Sequence, residues 1–455
     1  MRNHKDPLLR SSIVCPDFDA SYPVIDHGVG AYLYDKQGKQ YVDCAGGKAA
    51  VANIGHGRKE IGEIMSRQAR KIAISPTHYF RSDELDHYLE SLVSYAPPGF
   101  CKAWTVNSGT EAVENAMKLA IQYHQLNREN KKYKVIGRWG SYHGNSVYAL
   151  DVGGMELRRN NLLGLMHNSY HAPSAFCYRC SLGLESRTCR LACASAIEEQ
   201  ILKEGPETIA ALICEPVVGA ALGAVPAPEN YFAEARAICD KYGVLMIADE
   251  VMTGFARTGY NFAIEHWNVQ PDIIALGKGM ASGYYPLSGI LINEKVADIF
   301  ENKKQPFFGG HTYSCNPLGA AVGQYVLDCM IKEKLAEHSR EAGEYFVKKL
   351  KDLSRHHIVG DVRGMGLLIG VELVQDQMTK RPFDKSMKVS RMISHQAMEH
   401  GVIFYPGSGS AGRGEGDHIL ITPPLVINKE QIDKAVSVLD FCLQHFIEHE
   451  MEKAG

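Results

Sequence analysis

Lys278, in "DIIALGKGMASGYYP", closes an apolar run between two glycines and is followed by small residues and two tyrosines. A lysine amine held beside apolar walls loses its proton more readily than a solvated one, which suits it to attack a carbonyl carbon. The plain alternative is a solvated lysine at a strand end. A second reactive group closes the preceding apolar run, in "IADEVMTGFARTG", where Asp249 and Glu250 follow buried-type residues. A carboxylate there is costly to desolvate, so it calls for a cationic partner or for a backbone amide to cap. A third feature is "NSGTEAVENAMK", where Asn107, Ser108, Gly109 and Thr110 lead into a helix start. Exposed amides and the positive end of the helix dipole make such a turn a phosphate site, although a simple helix cap has the same residues.

These groups need strand ends to hold them. From about residue 100, strand-like and helix-like segments alternate: "CKAWTVNSG", "KYKVIGRWG", "ETIAALICEPVVG", "VLMIADEV" and "DIIALGKG" read as strands. Between them "NYFAEARAICDKYG" reads as a helix, and Val113, Met117 and Ala120 recur at helical spacing in another. Near-continuous apolar strands alternating with helices predict an α/β fold, a mainly parallel sheet covered on both faces. Ligands collect at the carboxyl ends of such strands. Further on, "LGAAVGQYVLDCMIKEKLAEHSREAGEYFVKKLKDL" reads as one long helical pattern and "VGDVRGMGLLIGVELV" as a strand pair. A closing helix is expected near Lys429, and "GVGAYLYDKQGKQYVDCAG" reads as a hairpin. The expected division is an N-terminal segment 1–65, a large domain 66–325 and a C-terminal part 326–455, the two chain ends building one small α+β domain.

With 455 residues, 45% of them hydrophobic, and a net charge of -3, the chain has material for a large core. The balanced charge offers no electrostatic case for nucleic acid or an anionic membrane. No apolar run reaches membrane-span length, and "MRNHKDPLLRSS" lacks a following signal-type stretch, so the expected compartment is the cytoplasm. A small-molecule substrate is the remaining expectation. Of twelve cysteines, Cys177, Cys180, Cys189 and Cys193 cluster as CxxC, an eight-residue gap and CxxxC. That set is compatible with a zinc staple, with free thiols or with redox pairs.

A phosphate cradle, a buried carboxylate and a lysine nucleophile together meet the needs of pyridoxal 5'-phosphate, which has a phosphate, a ring nitrogen to keep protonated and an aldehyde. The chain resembles the class III aminotransferases, enzymes of fold type I that use this cofactor. The resemblance spans essentially the whole sequence and is carried by "GAYLYDKQGKQYVDCAGG", "ANIGHG", "NSGTEAVENAMKLA", "GSYHGN", "CEPVVGAALGAVP", "DEVMTGFARTG", "LGKGMASGYYPLSG", "GHTYSCNPLGAA" and "RGMGLLIGVEL". It implies a large domain built on a seven-stranded type of sheet and a small α+β domain. Lys278 would be the Schiff-base residue and proton carrier, and Asp249 would pair with the ring nitrogen. Ser108, Gly109 and Thr110 would hold the phosphate, helped by Thr312 of a neighbouring subunit. Tyr142 and Val251 would cover the two ring faces, with His143 and Glu215 close by. A site shared between subunits implies a homodimer or a dimer of dimers.

The pattern departs from glutamate-using relatives at one point. These carry an arginine three residues before the "PPL" near the C-terminus, where it receives a carboxylate or pairs with the glutamate matching Glu215, whereas "GDHILITPPLVIN" has Leu420. This is similar to the amine and ω-amino acid branch, many of whose members accept pyruvate. The loop "YPGSGSAGRGEGDH" offers Arg413 among five glycines, either as a mobile carboxylate receiver or as a solvated arginine. Ala49, Ala50 and Ala52 imply a roomy pocket wall, which Tyr79 and Phe80 could refill from either chain; Tyr79 is a candidate substrate contact, and Tyr284 and Tyr285 either line the pocket or pack. The expected reaction is a ping-pong transfer of an amino group from a primary amine or ω-amino acid to a 2-oxo acid, pyruvate before 2-oxoglutarate. Racemases, phospho-lyases and decarboxylating enzymes share the scaffold and form the competing class. A cofactor-binding sensor or inactive relative is a third reading, disfavoured because lysine, aspartate and phosphate motif are all present.

Overall fold

The structure is a computed structural model that describes residues 22–167 and 170–449. The reading of the first twelve residues lies outside the described residues. Seven strands form the main sheet: β1 (Phe100–Val106), β2 (Lys134–Arg138), β3 (Tyr170–Ala172), β4 (Ile209–Cys214), β5 (Leu245–Asp249), β6 (Ile273–Leu276) and β7 (Ser288–Asn293). Their order is β1-β7-β6-β5-β4-β2-β3. All pairs are parallel except those of β7, which runs antiparallel to both β6 and β1. All strands but β7 therefore share a direction, and their carboxyl ends lie along one edge.

Side-chain alternation splits the central strands between two cores. Ala211, Ile213, Leu245, Ile247, Ile273 and Ala275 face a cluster that includes Val113, Met117 and Ala120 of helix α1 (Gly109–Leu126). Leu212, Cys214, Met246, Ala248, Ile274 and Leu276 face the other cluster. Both faces are buried, which is why these strands read as unbroken apolar runs.

Two four-stranded sheets flank this body. In the first, Ile25–Val29, Tyr32–Asp35 and Gln40–Asp43 form a meander, the latter two strands being the expected hairpin, and Val402–Ile403 joins in parallel to Gln40–Asp43. The second runs Val359–Met365, Leu368–Leu373, Glu415–Ile421, Tyr405–Gly412, all antiparallel. Two expectations are corrected. The long helical pattern after Asn316 is two helices, Pro317–Lys332 and Leu335–Lys351, because Lys334 takes a left-handed φ of 50° and turns the chain. The glycine-rich stretch around Arg413 is a β-hairpin rather than a loop, its glycines supplying the positive φ of the turn: 82° at Gly412 and 80° at Gly414. Among the described residues no helix is long and apolar enough to cross a membrane.

Candidate active site

Asp249 ends β5, and Lys278 lies two residues beyond the end of β6, the adjacent parallel strand. Lys278 is partly buried, with a left-handed φ of 43°. A non-glycine residue in that region is strained, and such strain persists where surrounding structure holds it. Burial holds its amine down to about 8, with the nearby Arg257 cation lowering it further and the carboxylates of Asp249 and Glu215 opposing. Arg257 is itself fully buried, and its guanidinium donates to Pro423 O at 2.5 Å, to Leu367 O at 3.1 Å and to Asn53 Oδ1 at 2.6 Å. Sequence reading passed over both Arg257 and Asn53. Their signal was present in the motifs "FARTG" and "ANIGHG", but nothing in the spacing tells that they meet.

His143, in the loop after β2, donates from Nδ1 to Asp249 Oδ2 at 2.7 Å, while Val251 N donates to Asp249 Oδ1 at 3.1 Å. The amide cap foreseen as the plain alternative is thus real, and one carboxylate oxygen also holds the histidine. His143 Nε2 is buried without a partner among the described residues. Glu250 points elsewhere: it accepts from Ala263 N at 3.0 Å, Ile264 N at 2.7 Å and Thr253, a structural cap whose carboxyl burial pushes up to about 7.

Glu215 follows β4, and its carboxylate accepts from Tyr142 N and Gly219 N, both at 2.9 Å, while burial raises its pKa. Tyr142 is half-buried against Phe176, Val218, Ala221 and Leu222. At the start of α1, Ser108 Oγ accepts from Glu111 N at 3.2 Å, so its side chain caps the helix. Thr110 Oγ1 accepts from Asn145 N at 3.2 Å, joining α1 to the "YHGN" loop. A Cβ on Gly109 would stand 2.7 Å from Val251 Cγ1, and one on Gly277 would stand 2.9 Å from Ser288 Oγ and 3.1 Å from Val251 Cγ1. Only glycine lets these backbones approach so closely. Val251, Gly109 and Gly277 therefore form one wall beside Asp249.

Leu420 is fully buried in an apolar cluster with Ala49, Ala50, Val217, Met252 and Leu368, and Ala220 and Tyr405 pack against it. Glu215 spends both carboxylate oxygens on amides, and position 420, read as leucine where glutamate-using relatives carry arginine, lies among apolar side chains. Arg413 is exposed at the hairpin turn, its amide donating to Glu156 Oε2 at 2.5 Å. Residues Ser408–Gly412 form one wall of a cavity of about 570 Å³ whose other wall is the cysteine loop. Tyr79 and Thr312 are exposed in the single chain, and neither bonds to the groups around Lys278. Cys177, Cys180, Cys189 and Cys193 are free thiols that line a side cavity of about 60 Å³. Among the described residues no group of three or more histidines, cysteines or acids is arranged to hold a metal ion.

The residues fit pyridoxal 5'-phosphate. An amine, a carboxylate and amide-rich helix start share one sheet edge, the glycine wall leaves room beside them, and a buried ring nitrogen lacks a partner.

Comparison with known proteins agrees with this chemistry. Residues 17–443 match the family Aminotransferase class-III. The chain is 38% identical over 422 residues to an uncharacterised aminotransferase of Schizosaccharomyces pombe, covering 92% of this chain and 91% of that one. It is 34% identical to a diaminobutyrate–2-oxoglutarate transaminase of Halomonas elongata, covering 96% and 95%. Among solved structures, an (S)-enantioselective omega-transaminase from Thermomicrobium roseum superposes with a TM-score of 0.87 at 32% identity, covering 93% of each chain.

Proposed function

Because the chain belongs to the class III aminotransferases, with the fold type I architecture of its structural relatives, we propose that it binds pyridoxal 5'-phosphate and moves an amino group from a primary amine or ω-amino acid to a 2-oxo acid, pyruvate before 2-oxoglutarate. The observation that carries this reading is the convergence of Lys278, Asp249 and the start of α1 on one sheet edge. When bound, the cofactor supplies the electron sink that makes a carbon beside nitrogen acidic.

The chain's own residues do the rest. Lys278, its amine unprotonated above about pH 8, is the nucleophile and then the base that carries a proton to and from the substrate carbon. Asp249, oriented by His143 and by Val251 N, holds a proton at the pyridine nitrogen. Gly109 and Thr110 present amides to the phosphate, and Ser108 fixes the helix start by its cap. Tyr142 and Val251 would cover the cofactor ring, and Glu215 fixes Tyr142 through its amide. Supporting the donor class, position 420 is a buried leucine rather than the cation that a dicarboxylate would need. The exposed Phe80, Tyr79, Phe308 and Tyr313 supply apolar surface for a second subunit, which would bring Thr312 to the phosphate.

The test follows the visible absorbance of the cofactor-loaded protein. A primary amine should bleach it and pyruvate should restore it, 2-oxoglutarate doing so less well. A protein that turns over without any 2-oxo acid would instead be a racemase, lyase or decarboxylating enzyme.

A further inference from the structure

The short helix α2 (Glu156–Arg159) carries two adjacent arginines with different fates. Arg159 is buried and donates to the carbonyl oxygens of Leu150 at 2.8 Å, Gly153 at 2.7 Å and Asp151, so its guanidinium is used inside the protein. Arg158 is exposed, and its guanidinium carbon lies 5.2 Å from the centre of the Tyr142 ring. Its hydrogen bond, to Asn145 Oδ1, is long at 3.5 Å, and among the described residues it has no carboxylate partner. Asn145 in turn donates its amide to Thr110 at the start of α1, and Tyr142 is followed by His143, which holds Asp249, so the cation stands beside the loop that joins these groups.

Three other arginines around the site make buried contacts inside the protein. Arg257 is spent on carbonyls and Asn53, and Arg179 and Arg363 both bind the fully buried Glu372, at 2.8 Å and 2.6 Å. Position 420, deeper in, is apolar. Arg158 and Arg413 are exposed and have guanidinium groups open to an incoming carboxylate. Arg413 is exposed at a hairpin tip between two glycines of positive φ. Arg158 is held over an aromatic face, which stabilises the cation and lowers the freedom lost when it binds a ligand. Glu156, on the same helix, anchors the Arg413 amide, so both arginines are set by α2.

We propose that Arg158 is a specificity residue that receives the substrate's carboxylate, whether on a 2-oxo acid acceptor or an ω-amino acid donor. The proposal rests on the transaminase reading above. It would let a site with an apolar residue at position 420 discriminate carboxylate-bearing substrates from plain amines and aldehydes: the planar guanidinium would pair with the carboxylate through two parallel bonds.

The test compares substrates that differ only in the carboxylate, pyruvate against propanal as acceptor and 3-aminopropanoate against propylamine as donor, which separates the two sources. Arg158→Ala should raise KM for at least one carboxylate member roughly tenfold to a hundredfold, the cost of a lost charge-assisted hydrogen bond, and leave its partner without carboxylate unchanged. Arg158→Lys should fall between, and Arg413→Ala should have the smaller effect. Equal changes for both members of each pair, or no change with the whole effect in Arg413→Ala, would overturn it. Should no amine bleach the wild-type protein, the transaminase reading fails. Calorimetric titration with propionate then still decides, since equal affinity in wild type and Arg158→Ala overturns the carboxylate role.

Discussion

His143 Nδ1 lies 2.7 Å from Asp249 Oδ2, a bond that joins the loop after β2 to the end of β5 across the intervening strand β4. Both groups are buried, so the histidine and the Val251 amide leave the carboxylate a single orientation. Asp249→Asn should keep the fold but lose the charge that holds a proton on the cofactor ring, with kcat falling at least roughly a hundredfold, the scale of one preorganised electrostatic contact. His143→Ala, which removes only the orienting bond, should cost roughly tenfold to a hundredfold. Steady-state kinetics of the two variants checks the ranking.

Burial and the neighbouring Arg257 hold the Lys278 amine down to about 8. Below that pH the amine carries a proton and cannot attack; above it the free base predominates. Uptake of pyridoxal 5'-phosphate by the cofactor-free protein should therefore quicken as pH rises and level off just above 8. An ordinary lysine, with a pKa of about 10.4, would keep gaining through pH 9 and 10. Stopped-flow absorbance across pH 6 to 10 separates the two.

Leu420 is fully buried among apolar side chains. Leu420→Arg should therefore not create a dicarboxylate site by itself. It places an unpaired charge among Ala49, Val217 and Leu368 and should destabilise the fold by about 3 kcal/mol, read as a lower urea midpoint.

Tyr79 is 84% exposed, Phe308 74% and Phe80 66%. Sedimentation should give a dimer or larger assembly, and Phe308→Asp should shift it toward monomer. Activity should fall with dissociation, because Thr312 would no longer reach the neighbouring site; a fully active monomer would contradict the shared site.

What the sequence determined by itself was local. Apolar runs of strand length ending in Asp249 and before Lys278, and a capped helix start at Ser108, are properties of a few consecutive residues, so strand ends and their reactive groups could be read directly. Helical periodicity placed Val113, Met117 and Ala120 on a buried face. Periodicity was blind to a single left-handed residue, which is why Lys334 broke a helix that the pattern ran through, and glycine content hid the hairpin around Arg413 behind the look of a loop. Only tertiary structure decided which groups meet. Packing brought Arg257 and Asn53 beside the lysine, gave Glu215 the amides of Tyr142 and Gly219, and set Arg158 over Tyr142 while burying Arg159 next to it. Adjacent residues of one type diverge because a helix turns each side chain by about 100° relative to the last, and what each then faces is set by chain segments far away in sequence.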